Sequence, residues 1–310
     1  MGNGVFCDKW FSCMQFCKKI HSLKKLAMYI VKRYLRFVLL VLSGGCVTLC
    51  LFHLIKFHNK EIGEILGNGI GNAFLENPSL LRIIRFSLMD VWVYGSSVYN
   101  PPVWMMRTLF FGTVLIAVVS FVCQKVSEID KLVWVIITIV SYLYSPYIST
   151  MITGCVLAEV NYADVKRKAE SRGIRFDIIG IFLFVLCIMF FGYVRAYDGL
   201  KYFIVSVAML IIMLLSGGLQ KLLEIPLFLV PGKFSAEIFV IHFPLYCTLS
   251  SCLYLQLASK EVYGSTAYII TFLATTFSLY VLCYITHIAN VQINARVTSL
   301  LRLQNKGADE

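Results

Sequence analysis

Phe37-Val38-Leu39-Leu40-Val41-Leu42-Ser43-Gly44-Gly45-Cys46-Val47-Thr48-Leu49-Cys50-Leu51-Phe52-His53-Leu54-Ile55 runs without an acidic or basic Lys/Arg side chain between Arg36 and Lys56. A helix of about 20 apolar residues crosses the roughly 30 Å hydrocarbon core of a bilayer. In lipid the backbone must satisfy its own hydrogen bonds, so such a run is a helix. The alternating period of a membrane barrel strand is absent. Comparable runs recur at 103–123, within 132–160, and near 178–195, 200–216, 236–256 and 268–288. Composition agrees, with 59% hydrophobic and only 15% charged residues and a mean hydropathy of +0.78. Soluble chains lie nearer half apolar and a quarter charged. The fold expected is an all-α integral membrane protein, a polytopic helix bundle, and a soluble domain is excluded.

Charge gives the topology. Lys and Arg number 28 against 17 Asp and Glu, a formal +11. On a soluble chain this would point to nucleic acid. Here the positive residues sit between apolar runs, where they mark cytoplasmic loops, so no nucleic-acid partner is expected. Residues 1–36 form a basic cytoplasmic or interfacial segment carrying Lys24, Lys25, Lys32, Arg33 and Arg36. The connection 56–102 has balanced charge, a glycine-rich stretch at 67–71 and an amphipathic stretch at 79–94; its length marks it as structured. The run 132–160 is long for one helix and short for two, with Pro146 in its middle. The loop 161–177, with Lys166, Arg167, Lys168, Arg172 and Arg175, is cytoplasmic only if 132–160 crosses twice. Two short helices joined at Ser145–Tyr147 are therefore expected. The count becomes about eight crossings, with a membrane domain at 37–288, a tail from Ala289 to Glu310 and both termini cytoplasmic.

The 11 cysteines lie mostly inside apolar runs, where a free thiol is a small hydrophobe. No CxxC and no Cys/His ligand spacing occurs, so no metal site is expected. Cys7, Cys13 and Cys17, in the basic start, are either ordinary thiols or acylation sites. Phe6 stands where a myristoylation signal wants Ser or Thr, and the start lacks the central apolar block of a cleavable signal peptide.

Polar groups at membrane depth are costly and mark candidate sites. Arg33 and Arg36, three apart on one helix face before the first span, either clamp a phosphate or flank the span as topology charges. Asn100-Pro101-Pro102-Val103-Trp104-Met105-Met106-Arg107 opens a helix with prolines at its start and Trp104 at interface level. Arg107, a turn in, either snorkels or faces an anionic group. His242 lies early in an apolar span, two residues before Pro244. Pro244 has no N–H for the carbonyl four residues back, so that carbonyl can accept another partner. His242 itself is a general base, a ligand contact or a helix–helix bond. Glu159 and Asn161 end the 132–160 run, where Glu159 pairs with Arg167 or caps the chain. No GxSxG, HExxH, P-loop or dinucleotide motif is present.

Taken in order, these stretches resemble the membrane acyltransferase 3 family, bacterial O-acyltransferases that modify surface polysaccharides. Lys32-Arg33-Tyr34-Leu35-Arg36 is similar to the family's Arg-rich element before a span. Asn100–Met106, followed by Phe110, Phe111 and Gly112, is similar to its Asn-x-Pro-Leu-Trp stretch. Gly154 to Glu159 matches a small-residue stretch ending in an acid. Gly232-Lys233-Phe234-Ser235-Ala236-Glu237-Ile238-Phe239-Val240-Ile241-His242-Phe243-Pro244-Leu245 is similar to the family's most specific motif. The resemblance covers roughly residues 28 to 295.

The resemblance implies O-acetylation of a cell-envelope polysaccharide or glycolipid sugar in a bacterial cytoplasmic (inner) membrane. Acyl-CoA, as acetyl-CoA, is then the donor substrate, with no bound cofactor. Partners would be the bilayer and an envelope glycan or lipid-linked sugar. Arg33 and Arg36 would hold the CoA phosphates, while Asn100, Trp104, Arg107 and His242 would line or support the acceptor path. Departures are Leu109 where the family has glutamate, and a closing stretch Ala289–Asn294 without its acid and proline. The family's base, a histidine on an earlier span, has no counterpart expected here: His21, His53 and His58 are out of context, so the catalytic base is unassigned and a shortened or inactive member is also possible on the sequence alone. The competing class is a non-catalytic transporter or glycan/lipid flippase, with 56–102, 132–160 and Arg107 along its pathway.

Overall fold

A computed structural model describes residues 20–67, 69–74, 76–124, 130–159, 174–193 and 198–306. Among them every regular element is helical. The basic start through Lys19 with Cys7, Cys13 and Cys17, the loop residues Asn161, Lys166, Arg167, Lys168 and Arg172, and the side chain of Glu159 lie outside the described set. Five helices are long and apolar enough to cross a membrane: Leu23–Leu54, Pro101–Cys123, Arg175–Gly192, Ser235–Ser259 and Gly264–Ser299. A sixth is reached if Gly199–Leu215 and Gly217–Leu223, bent by 95°, count as one. The chain is thus an all-α, multi-pass architecture. The described residues form two compact units, one from the stretches up to Ile30 and Thr108–Gly232, the other from Val31–Arg107 and from Lys233 onward.

The second unit holds Arg33, Arg36, Asn100, Trp104, Arg107 and His242. Helix α1 (Leu23–Leu54) is unbroken through Arg36, so the boundary drawn there from charge falls inside a helix. After it come α2 (Asn59–Leu66) and α3 (Leu80–Arg85), the latter continuing through a π turn at Phe86–Asp90. Gly67 ends α2 at φ +62°, the left-handed conformation for which glycine is suited. Asn59 Nδ2 donates to the carbonyls of Ile70 and Ala73 at 3.1 and 2.8 Å, which ties the glycine-rich stretch back to α2.

Within 56–102 the described residues pack against α1. Ile83 fills the space beside Gly45, where a Cβ would lie 2.6 Å from its Cγ2. Farther along, the Tyr34 hydroxyl donates to the Leu88 carbonyl. Trp92 packs edge-on to Tyr34 and Phe37, with centroids 5.9 and 6.2 Å away. As residue number rises from 83 to 92, the partner on α1 falls from 45 to 34. The segment runs antiparallel along the apolar part of α1.

Helix α4 (Trp104–Cys123) follows. Later in the chain α11 (Ser235–Leu245) passes through a π turn at Tyr246–Ser250 into α12 (Ser251–Ser259), and α13 (Gly264–Lys306) closes the unit. Gly44 faces Val240, and the His58 amide donates to the Cys247 carbonyl at 2.9 Å, so α1 and α11 run the same way. Ser250 and Thr275 hydroxyls meet at 2.7 Å, and Asn290 Nδ2 donates to Ser43 Oγ at 3.2 Å, so α13 runs antiparallel to both. The helix continues past Ala289, and Asn290 is buried, so the expected tail begins inside packed helix.

The eight crossings expected from loop charge compare with five helices long and apolar enough to cross a membrane, or six with the bent pair, among the described residues. Asn100 Nδ2 donates to the Val240 carbonyl at 2.6 Å, placing the start of α4 beside the second turn of α11.

The first unit contains the Thr108–Cys123 part of α4, then α5 (Asp130–Tyr144), α6 (Pro146–Glu159), α7 (Ile174–Tyr193), α8 (Gly199–Leu215), α9 (Gly217–Leu223) and α10 (Pro226–Lys233). The 132–160 run does break at Ser145, with Pro146 opening α6, where proline is best tolerated. Ser149 Oγ donates to the Thr138 carbonyl at 2.9 Å, showing the two helices folded back on each other. Each is only about 21–23 Å long. Ile116, Ala117, Ile152 and Cys155 form its fully buried centre. Asp198 begins α8, where the Lys201 side chain hydrogen-bonded to it holds its carboxyl below the ordinary range.

The 95° bend between α8 and α9 exposes helix-start amides that lipid cannot satisfy. Asp177 Oδ1 accepts from the Gly218 amide at 2.8 Å, and Ser216 Oγ accepts from the Leu219 amide at 3.2 Å. Gly180 leaves room for Ser216, since a Cβ there would lie 2.7 Å from the serine side chain. Asp177→Ala is expected to destabilise the unit by about 1–2 kcal/mol, read as a lower unfolding midpoint in detergent, with Asp177→Asn retaining most of the cap.

Candidate functional site

The site builds up from one missing hydrogen bond. Pro244 lies inside α11, and its ring nitrogen has no proton for the carbonyl of Val240. Val240 is fully buried, so that carbonyl has no water to turn to. Asn100 supplies the donor through Nδ2 at 2.6 Å. Asn100 is itself 1% exposed, held in extended backbone conformation just before Pro101 and Pro102. The residue before a proline is pushed to that conformation by sterics, so the two prolines help aim its side chain. Because a carbonyl only accepts, the amide orientation of Asn100 follows from this bond. Its Oδ1 is buried with no protein partner among the described residues.

Gly44 completes the node. A Cβ there would stand 2.8 Å from Val240 Cβ and 3.1 Å from the same carbonyl oxygen. Only a residue without a side chain lets α1 approach the place where Pro244 has opened the α11 backbone. The Asn-Pro-Pro helix start and the His-Phe-Pro stretch, 140 residues apart, thus meet at one atom.

His242 is half-buried two residues on from Val240, about 200° around the helix. Its Nδ1 sits 2.9 Å from the Ile238 carbonyl, so Nδ1 carries the proton and Nε2 is the free ring nitrogen. Phe239, Phe243 and Tyr246 surround the imidazole, with centroids 6.1, 6.4 and 5.8 Å away. Its role as a helix–helix bond is not what the structure displays, because the bond is to its own helix.

Arg107 folds back over the preceding chain. Its Nη2 donates weakly to the Val93 carbonyl at 3.4 Å, and its Nη1 lies 2.4 Å from where a Cβ on Gly95 would be. Gly95 has φ +67°, so it needs glycine for conformation as well as for space. Gly95→Ala is expected to cost about 1–3 kcal/mol and to dislodge the Arg107 guanidinium, seen as a drop in the thermal midpoint. Trp104 is 41% exposed, outside the buried node that Asn100 enters.

Arg33 and Arg36 both lie on α1 but in different settings. Arg36 is exposed. Arg33 is half-buried, its guanidinium carbon 5.3 Å from the Phe37 ring centroid, a cation–π contact. Arg33 Nε is buried with no hydrogen-bond partner among the described residues. A guanidinium held by a ring with an unused donor can take an anion without first losing a protein ion pair.

Two residues of consequence were not nominated from sequence for a role. Glu237, 6% exposed on α11, accepts through Oε1 from His287 Nδ1 on α13 at 3.0 Å. The signal was available: an acid three residues into an apolar span needs a donor, and His287 lies in a later span. Among the described residues no cluster of His, Cys, Asp and Glu could hold a metal ion. No protein-family model, no curated protein and no solved structure matches the chain, so the site stands on its own geometry and on the resemblance in its motifs.

Proposed function

We propose that the protein is a membrane-bound acyltransferase, O-acetylating an envelope polysaccharide or glycolipid sugar from acetyl-CoA. The observation that carries the reading is the Asn100–Val240 bond. The two stretches on which the resemblance to acyltransferase 3 proteins chiefly rests form one buried structure, with His242 two residues farther along α11. Arg33 and Arg36 supply anion-binding capacity for the CoA phosphates on α1. The basic ends of α1 and α13 point the same way, because these helices are antiparallel, which supports both termini on the cytoplasmic side of a bacterial inner membrane.

The test is transfer of labelled acetyl from acetyl-CoA to envelope glycan by the reconstituted protein. Transfer that is present in wild type and lost in His242→Ala and Arg36→Ala supports the reading. Movement of glycan across the bilayer without any acyl-CoA requirement would replace it with a flippase.

A further inference from the structure

Transfer of an acyl group to a hydroxyl needs a base at the attacking oxygen. Three histidines of the second unit have Nδ1 occupied: His53, which bonds the Leu49 carbonyl of its own helix at 2.9 Å, His242 and His287. His242 is oriented by a neutral backbone carbonyl. His287 is oriented by the carboxylate of a side chain 8% exposed, with the Phe234 ring edge-on at 5.2 Å. A carboxylate can only accept, so His287 Nδ1 carries a proton, and in the neutral ring Nε2 carries the lone pair. The carboxylate also stabilises the imidazolium that forms when Nε2 takes a proton, which a neutral carbonyl does far less. The His287 side chain is 37% exposed, so the ring is open on one side while its partner is closed off.

Register places Glu237 on the basic side of the Val240 node. Glu237 is one turn before Val240, which faces Gly44. His287 is one turn before Asn290, which bonds Ser43, and because α13 is antiparallel to α1 this puts His287 one turn farther from Arg36 than Ser43 is. Arg36 lies seven residues before Ser43, about 10 Å along the helix. The level of His287 is therefore about 15 Å from Arg36 along the helix axis, an interval that an extended pantetheine arm covers.

We propose that His287 is the general base of the transfer and Glu237 its positioning residue, an assignment that rests on the acyltransferase reading. His287 Nε2 takes the proton of the acceptor hydroxyl as its oxygen attacks the thioester carbonyl carbon. A C–O bond forms, the C–S bond breaks, and the CoA sulfur leaves with the proton returned from Nε2. The products are the O-acyl ester and free CoA, with no other reactant.

The experiment measures acetyl transfer from labelled acetyl-CoA to envelope glycan in proteoliposomes, beside equilibrium binding of acetyl-CoA. His287→Ala is expected to lower kcat by about a hundredfold or more, with KM for acetyl-CoA within about twofold, and exogenous imidazole is expected to restore much of the loss. Glu237→Gln, which keeps an acceptor for Nδ1–H, is expected to lower kcat roughly tenfold with KM unchanged. His287→Asn, which keeps a side-chain donor for Glu237, serves as the folded control: it should elute and melt as wild type yet remain inactive. Activity of His287→Asn near the wild-type rate, or no imidazole rescue of His287→Ala, overturns the assignment and leaves the acyltransferase reading intact. Wild type that neither binds acetyl-CoA nor transfers from it overturns both.

Discussion

Replacing Asn100 by leucine is expected to destabilise the protein by about 2 kcal/mol and, under the proposed function, to abolish acyl transfer. The Val240 carbonyl would then lack both the helix donor that Pro244 cannot provide and the amide of Asn100. Leucine would also remove the buried, unpaired Oδ1, which offsets part of the loss. The mechanism makes a sharper statement than the single mutant. In a Pro244→Ala background the new N–H at 244 can close the ordinary helix bond to Val240. The cost of Asn100→Leu should therefore fall by about 1 kcal/mol, a coupling that reversible unfolding in bicelles would read as a double-mutant cycle. Additive effects would mean that the proline and the asparagine are unrelated.

Gly44→Leu is expected to have a still larger effect on stability, about 3 kcal/mol or more. Its Cβ would begin 2.8 Å from the Val240 side chain and 3.1 Å from the carbonyl that Asn100 holds. Neither atom is the loose end of a flexible chain, so α1 and α11 must separate. Gly192→Ala, on α7, is the matched control: nothing lies within 4 Å of its added Cβ. It should be neutral or stabilising by up to about 1 kcal/mol, since alanine is the better helix former. Unfolding midpoints of the two variants against wild type decide the matter.

The two effects also show what a single chain can and cannot disclose. Pro244 announces from sequence that the carbonyl four residues back is free, and Pro146 announces a break at Ser145, because both follow from a missing proton on one atom. The partner that takes the free carbonyl is 140 residues away and leaves no local trace. The same holds for the antiparallel run of Ile83 to Trp92 along α1, whose amphipathic pattern is visible but whose depth is not. Arg36 and Ala289 were natural places to end segments by charge, yet both sit within continuous helix, since a basic residue ends a span without ending a helix. His287 escaped notice because it lies in an apolar run and acquires meaning only beside Glu237.

The reading of the protein as an acyl-CoA-dependent enzyme is tested most directly by donor binding. Saturable binding of acetyl-CoA to the reconstituted protein, measured on each side of sealed vesicles, is predicted at the face bearing the basic start of α1. Arg33→Ala and Arg36→Ala should each weaken it by roughly tenfold or more, the loss of a charge-assisted phosphate contact. Absence of saturable binding at either face, or binding indifferent to both arginines, would contradict the account.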